Sequence, residues 1–318
     1  MSIWEEDIKE IERAFETFKK IGGKKEISSR ALDHWIKVEN LSYEGSCEFV
    51  GVDGSFLVSP LTFSTFYLAR AIAIAPSLGS FKASKSEVLE STNDDQVRQH
   101  AEAVMARLEV EVASRALTEL TRRGKEFMLL FDGSISSLIL HRAILHRSPI
   151  SHYSYYIATC ISKELSEVAE EGFVVFVAKR SSSSIYDEER LPDMILFSSM
   201  PRGYSKPRVV SLSGFYNVPE EELNGLSLSP KLKTITLSYV RLTDDGPLLR
   251  IEVPGVLSES EMHDVVAKLS SVSPVGYPVP LLAAHNSVKL RRTTLRRALS
   301  LVDIRLRTGR EALREAFT

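Results

Sequence analysis

Apolar residues recur along this chain in two rhythms. Short unbroken runs at Phe49–Val52, Phe127–Phe131 and Phe173–Ala178 predict strands buried on both faces, because β-branched and aromatic side chains fit a pleated surface. Thr234–Leu242 and Leu248–Val253 predict two more, and Phe63–Ala75 reads as a further strand or two in meander fashion. The polar stretch Ser80–Asp95 is expected to be a loop. Helical spacing predicts helices over Gln99–Leu120, Tyr153–Ala169 and Glu259–Leu269, and a long basic helix from about Pro280 onward. At the start, Ile3, Ile8, Ile11, Phe15 and Phe18 recur among charges, predicting an amphipathic helix that ends near Gly22-Gly23. Strands first, then strands alternating with helices, predict an α/β fold with a mixed sheet flanked by helices.

The 318 residues, 43% apolar and 26% charged, suit a globular protein with an ample core. No apolar run approaches the roughly 18 residues of a membrane span, and Ile3–Phe18 carries acids where a signal peptide is apolar, so a cytoplasmic protein is expected. Cys47 and Cys160 lack metal-ligand spacing and read as small core residues. The net charge of −2 gives the whole molecule no pull toward nucleic acid, yet Asn286–Thr318 holds nine basic residues against three acidic ones. A basic face of that kind grips phosphates or is a solvated helix face.

Two apolar runs end in the same phrase, Val52-Asp53-Gly54-Ser55 and Phe131-Asp132-Gly133-Ser134. Each puts a carboxylate where a buried strand is expected to end. Asp-Gly is also a common hairpin turn signal, but the repetition favours two carboxylates converging on one metal. Within the Gln99–Leu120 helix, Glu109 has Met105, Ala106, Val112 and Ala113 one turn away on either side, whereas Glu111 lies beside Arg107 and Arg115. Glu109 therefore faces the core, where a carboxylate is costly unless paired or metal-bound. Lys179 follows the 173–178 strand and is placed to reach a phosphate, or to snorkel at the surface. His285 follows Gly276-Tyr277-Pro278 in the expected first turns of the last helix, where the N-terminal dipole favours a neutral ring.

Taken in order, Val-Asp-Gly-Ser, Arg107-Leu108-Glu109, Phe-Asp-Gly-Ser, Val177-Ala178-Lys179-Arg180-Ser181, Arg250-Ile251-Glu252-Val253-Pro254 and Gly276-Tyr277-Pro278-Val279-Pro280-Leu281-Leu282-Ala283-Ala284-His285 resemble the NurA nuclease family from about Glu48 to Leu290. The resemblance implies a ribonuclease H-like fold, dependence on Mn²⁺ or Mg²⁺, and 5′→3′ degradation of DNA with endonuclease activity on single strands. It implies a homodimer acting with the hexameric ATPase HerA in archaeal DNA-end resection. It further implies that Asp53, Glu109 and Asp132 are metal carboxylates, that His285 is a further ligand or catalytic group, and that Lys179 assists. Spacing around that helix also admits Glu111 in place of Glu109.

Three carboxylates suit two divalent ions serving the attacking and leaving oxygens of a phosphodiester, and an imidazole tilts the preference toward Mn²⁺. Tyr277, Lys289, Arg291 and Arg292 are the expected DNA contacts, by stacking and by phosphate binding. Residues 1–45 are expected to form a partner or dimer contact and residues 46–318 the nuclease domain. Two alternatives remain at this point. Actin-like and sugar-kinase ATPases share strand-terminal aspartates, but their Asp-x-Gly phosphate loop differs from Asp53-Gly54 and Asp132-Gly133. A catalytically inactive adaptor of a DNA translocase is the other.

Overall fold

The structure is a computed structural model that describes residues 29–39, 41–61, 64–90, 94–135, 137–139, 151–187, 191–291 and 293. The expected helix at Ile3–Phe18, Arg292 and the basic stretch beyond residue 293 lie outside the described residues. Ten strands form one sheet: β1 (Trp35–Lys37), β2 (Glu48–Pro60), β3 (Thr65–Ala75), β4 (Gly79–Leu89), β5 (Phe127–Asp132), β6 (Phe173–Ala178), β7 (Gly203–Ser205), β8 (Arg208–Ser211), β9 (Thr234–Arg241) and β10 (Leu248–Pro254). Four longer helices accompany them: α1 (Asp94–Arg122), α2 (Ser151–Glu171), α3 (Glu259–Ser271) and α4 (Val279–Val288). The order across the sheet is β1-β7-β9-β10-β6-β5-β2-β3-β4, with β8 paired to β9. The pairs β2/β5 and β5/β6 are parallel and the rest antiparallel. An antiparallel meander, a crossover helix and two parallel strands make the mixed, ribonuclease H-like sheet.

Helices cover both faces, so the central strands lose their polar alternation. One face packs Val50, Val52, Leu129, Phe131, Val174 and Phe176 under α1 and α2. The other packs Met128, Leu130, Val175, Val177, Ile251 and Val253 under α3 and the start of α4. The α3 start is set by a capping box, in which Ser258 accepts from the Glu261 amide and Glu261 accepts from the Ser258 amide.

Several expectations change. Asp53-Gly54 is neither a strand end nor a turn, because β2 runs on to Pro60 in register with β3. What ends near Asp53 is the ladder to β5, which spans Glu48–Val52. Asp53 is thus the first β2 residue past its parallel neighbour, and the sheet opens there. The expected loop at Ser80–Asp95 is largely strand β4. Its inward face includes Lys85 and Glu87, which pair at 3.3 Å while Tyr67 donates to Glu87, so two ions among five inward residues hide the period of two. The last helix is short within the described residues, ending at Val288, and Lys289 and Arg291 follow it outside helical structure. His285 therefore sits in the last turn of α4, and the N-terminal dipole argument does not apply to it. Strand β1 pairs with β7, so residues 35–37, within the stretch expected to lie outside the nuclease domain, belong to the sheet. Both cysteines are free and half-buried rather than fully enclosed. None of the described helices is long and apolar enough to cross a membrane.

Candidate metal centre

Three parallel-paired strands bring the predicted groups to one end of the sheet. Asp132 is the last residue of β5, Lys179 follows β6, and Asp53 stands beyond the β2/β5 ladder. His285 enters from α4, which packs across β2 and β3. One ligand atom from each of Asp53, Asp132 and His285 lies within 4.8 Å of the other two. His285 Nδ1 is 2.9 Å from Asp53 Oδ2, the Gly54 amide donates to Asp53 Oδ1 at 2.8 Å, and Lys179 Nζ donates to Asp132 Oδ2 at 2.7 Å.

Glu109 and Glu111 part company on α1. Glu109 is 7% exposed, whereas Glu111 lies at the surface, 3.9 Å from Arg115. The Glu109 carboxylate presses on the strand beside Asp53: a Cβ at Gly54 would lie 2.4 Å from Glu109 Oε1. Only glycine leaves that carboxylate its place. A cleft of about 70 Å³ runs alongside, lined by Glu109, Asp132, Ser134, Ser137 and Glu102. Glu102 was not among the expected site residues, although it stands seven residues before Glu109 and so on the same helical face. Gly51 is tighter still. A Cβ there would lie 2.1 Å from the Pro280 carbonyl oxygen, so bare β2 backbone meets the first turn of α4.

Burial pushes the Asp53 carboxyl up to about 6, and the neighbouring Asp132 charge adds to the rise. The His285 contact and the Gly54 amide pull the other way. Crowded, desolvated carboxylates of this kind are relieved by a cation. The donor set, two carboxylates and one imidazole, fits Mn²⁺ or Mg²⁺.

Tyr277 also belongs to this wall. Lys179 Nζ lies 4.7 Å from its ring centroid, so one face of the ring expected to stack on DNA is covered. Its hydroxyl is enclosed, and burial, then the charge of the neighbouring Asp132, raises its pKa. Lys289 and Arg291 are exposed just past α4. Arg70 on β3 holds this turn by donating to the carbonyls of Val288 at 2.6 Å and Lys289 at 2.8 Å. The Leu290 amide donates to Ser55, two residues from Asp53, and so fixes the turn beside the centre.

Comparison with known proteins gives the family and the fold. The chain is 23% identical over 314 residues to the DNA double-strand break repair nuclease NurA of Saccharolobus solfataricus, covering 89% of this chain and 88% of that one. It resembles the crystal structure of the NurA nuclease from Sulfolobus solfataricus with a TM-score of 0.71 at 20% identity, over 95% of this chain and 97% of that one. A crystal structure of NurA bound to dAMP and manganese matches with a TM-score of 0.65 at 15% identity, over 98% and 100% of the two chains. The NurA domain itself matches residues 47–290, a span that holds both aspartates, Glu109, Lys179 and His285, and the chain belongs to the NurA family.

Proposed function

We propose that this chain is a divalent-metal-dependent deoxyribonuclease of DNA double-strand break repair, working in the cytoplasm. The observation that carries the reading is the convergence of Asp53, Asp132 and His285 within 4.8 Å, in a chain whose relatives bear the name of such a nuclease. Asp53, Asp132 and His285 would hold manganese or magnesium, and Glu109 would complete the carboxylate set for a pair of ions. Bound there, the ions supply an activated water and neutralise charge on the attacking and leaving oxygens.

The remaining work falls to the protein's own groups. Lys179 holds Asp132 in place and is half exposed, within reach of a phosphate oxygen, while Tyr277 walls off its side. His285 orients Asp53 through Nδ1. Lys289 and Arg291 grip the DNA backbone near Ser55, and Arg292 is assigned the same part. In its finer form the reading is a 5′→3′ exonuclease on single- and double-stranded DNA with endonuclease activity on single strands. The enzyme would act as a homodimer with a HerA-type translocase, through contacts made by residues 1–45. These particulars rest on the family resemblance. Family membership weighs against the ATPase alternative, and the presence of every expected acid weighs against the inactive adaptor.

The test is cleavage of a labelled single-stranded oligonucleotide with Mn²⁺, which EDTA should abolish. A protein inert with both Mn²⁺ and Mg²⁺ would end the reading. In the same assay Glu109→Ala should lose about 100-fold or more, because it removes a buried acid from the cleft. Glu111→Ala should stay within about twofold, since exposed ion pairs contribute little. The reverse outcome would move the metal glutamate to Glu111. Replacing Lys289 and Arg291 together by alanine should flatten the salt dependence of DNA binding by about 1.4–1.8 log–log units, 0.7–0.9 for each phosphate no longer neutralised. An unchanged slope, measured over a salt series, would take the grip away from this turn.

A further inference from the structure

Arg250 and Glu252 are two charges in a strand whose seven residues are all buried. Alternation puts Leu249, Ile251 and Val253 on the α3 face, so Arg250 and Glu252 share the opposite face, with Arg250 lying over the Phe215 ring. Their ion pair closes at 2.5 Å, with side chains 6% and 0% exposed. Replacing a buried pair by apolar residues of similar volume is often neutral or stabilising, so stability alone does not explain one. What distinguishes this pair is where its other hydrogen bonds go. Glu252 Oε2 accepts from the Ile135 amide at 2.8 Å, three residues after Asp132, and Oε1 accepts from Tyr216 at 2.9 Å. Arg250 donates to Ser181 Oγ at 2.8 Å, two residues after Lys179. Ser181 leads on through Ser183 and Tyr239 to the buried Asp193.

We propose that Arg250 and Glu252 are positioning residues, a buried strut that ties the segment after Asp132 to the segment after Lys179 and so sets the 2.7 Å contact between those two side chains. The proposal rests on the nuclease reading, since it assigns the strut to that centre. Backbone pairing holds the two strands as far as Gly133, whose amide donates to the Val177 carbonyl at 2.9 Å, and Ala178, which pairs with Arg250 on β10. Beyond that point the chain turns away on both strands, and the strut holds the two turns together. Neither residue touches substrate or metal in this assignment.

The test is the double variant Arg250→Met/Glu252→Leu, which removes both charges together and leaves neither stranded. Its melting midpoint should stay close to that of the wild type, because removing a desolvated ion pair offsets the loss of the acceptor for Ile135 and Tyr216, and its Kd for an oligonucleotide in Ca²⁺ should be unchanged. Its single-turnover cleavage rate in Mn²⁺ should fall at least about tenfold, as expected when reacting groups are misplaced by a fraction of an ångström to an ångström. Amide exchange at Ile135 should quicken by a similar factor. Wild-type cleavage by the double variant would overturn the proposal and leave the pair as packing. If the double variant does not fold, Glu252→Gln decides, because it keeps the shape and loses the charge and one acceptor. A slower rate with faster Ile135 exchange supports the strut, and an unaltered rate overturns it. Failure of the nuclease reading is separable: the wild-type protein would then be inert with Mn²⁺, while Ile135 exchange would still report whether the strut holds that turn.

Discussion

Asparagine at position 53 or 132 should bring metal-dependent cleavage down by about 10³-fold or more while the protein stays folded, because either change takes an anionic oxygen from a centre that neutralises a phosphodiester's developing charge. The two variants should differ in detail. Asp132→Asn also releases Lys179, whose ammonium is held at 2.7 Å, and so disturbs the cation on the other lip of the cleft. Asp53→Asn releases His285 instead. Raising Mn²⁺ should therefore recover more activity in Asp53→Asn, where the β5 carboxylate and Lys179 are intact. The measurement is single-turnover cleavage across a Mn²⁺ series, with DNA binding assayed in Ca²⁺. Full activity in either variant would remove that aspartate from the metal site.

The second large effect is on stability, and its sign reverses with metal. A free aspartate titrates near 3.8, and Asp53 in the fold is pushed up to about 6. Between those values the folded protein binds more protons than the unfolded chain, so stability falls as pH rises through this window and levels off above it. The ionised carboxylate is thus a cost to the metal-free fold at neutral pH, on the order of 3 kcal/mol. Metal-free Asp53→Asn should melt higher than the wild type at pH 7.5, and the gap should close as pH falls toward 4. With saturating Mn²⁺ the order should invert, since an ion at about 1,000 times its Kd stabilises the wild type by roughly 4.1 kcal/mol and has lost a ligand in the variant. Thermal melts with and without Mn²⁺ at several pH values check this. A wild type that outlasts Asp53→Asn at pH 7.5 without metal would mean that the His285 contact outweighs burial and the Asp132 charge.

Much of the frame was legible because burial on both faces leaves a plain mark. Strands β5 and β6 are nearly continuous apolar runs, β9 and β10 keep a β-branched and aliphatic frame around their polar residues, and α1 carries a long apolar stripe in which a glutamate stands out. The acids, the lysine and the histidine were legible for the same reason, as polar groups adjoining or interrupting apolar surroundings. What escaped depends on contacts distant in sequence. The strand at 79–89 satisfies Lys85 and Glu87 with each other and Tyr67, so its inward face reads as polar. Asp53-Gly54 carries turn chemistry inside a strand, because the glycine answers to Glu109 on α1 rather than to a bend. The break in helix after Val288 escaped notice because residues 289–291 keep a helical composition, while backbone groups there are held by Arg70 and Ser55. Tyr277 has the composition of a stacking platform, but Lys179 lies against its face.

Gly51 gives the centre a vulnerability that its chemistry does not advertise. The residue has no side chain, sits two positions before Asp53 in an ordinary buried strand, and takes no part in binding or proton transfer. Yet the Pro280 carbonyl occupies the volume that any other residue would need, and the helix beginning there carries His285. The separation of carboxylate and imidazole is therefore set at the far end of the helix, by a hydrogen atom where every other amino acid has a carbon. Mutational scans that score positions by side-chain chemistry would rank Gly51 as filler. Alanine there would be expected to tilt α4 away from β2 and part His285 from Asp53, disabling the centre with all of its functional groups still present.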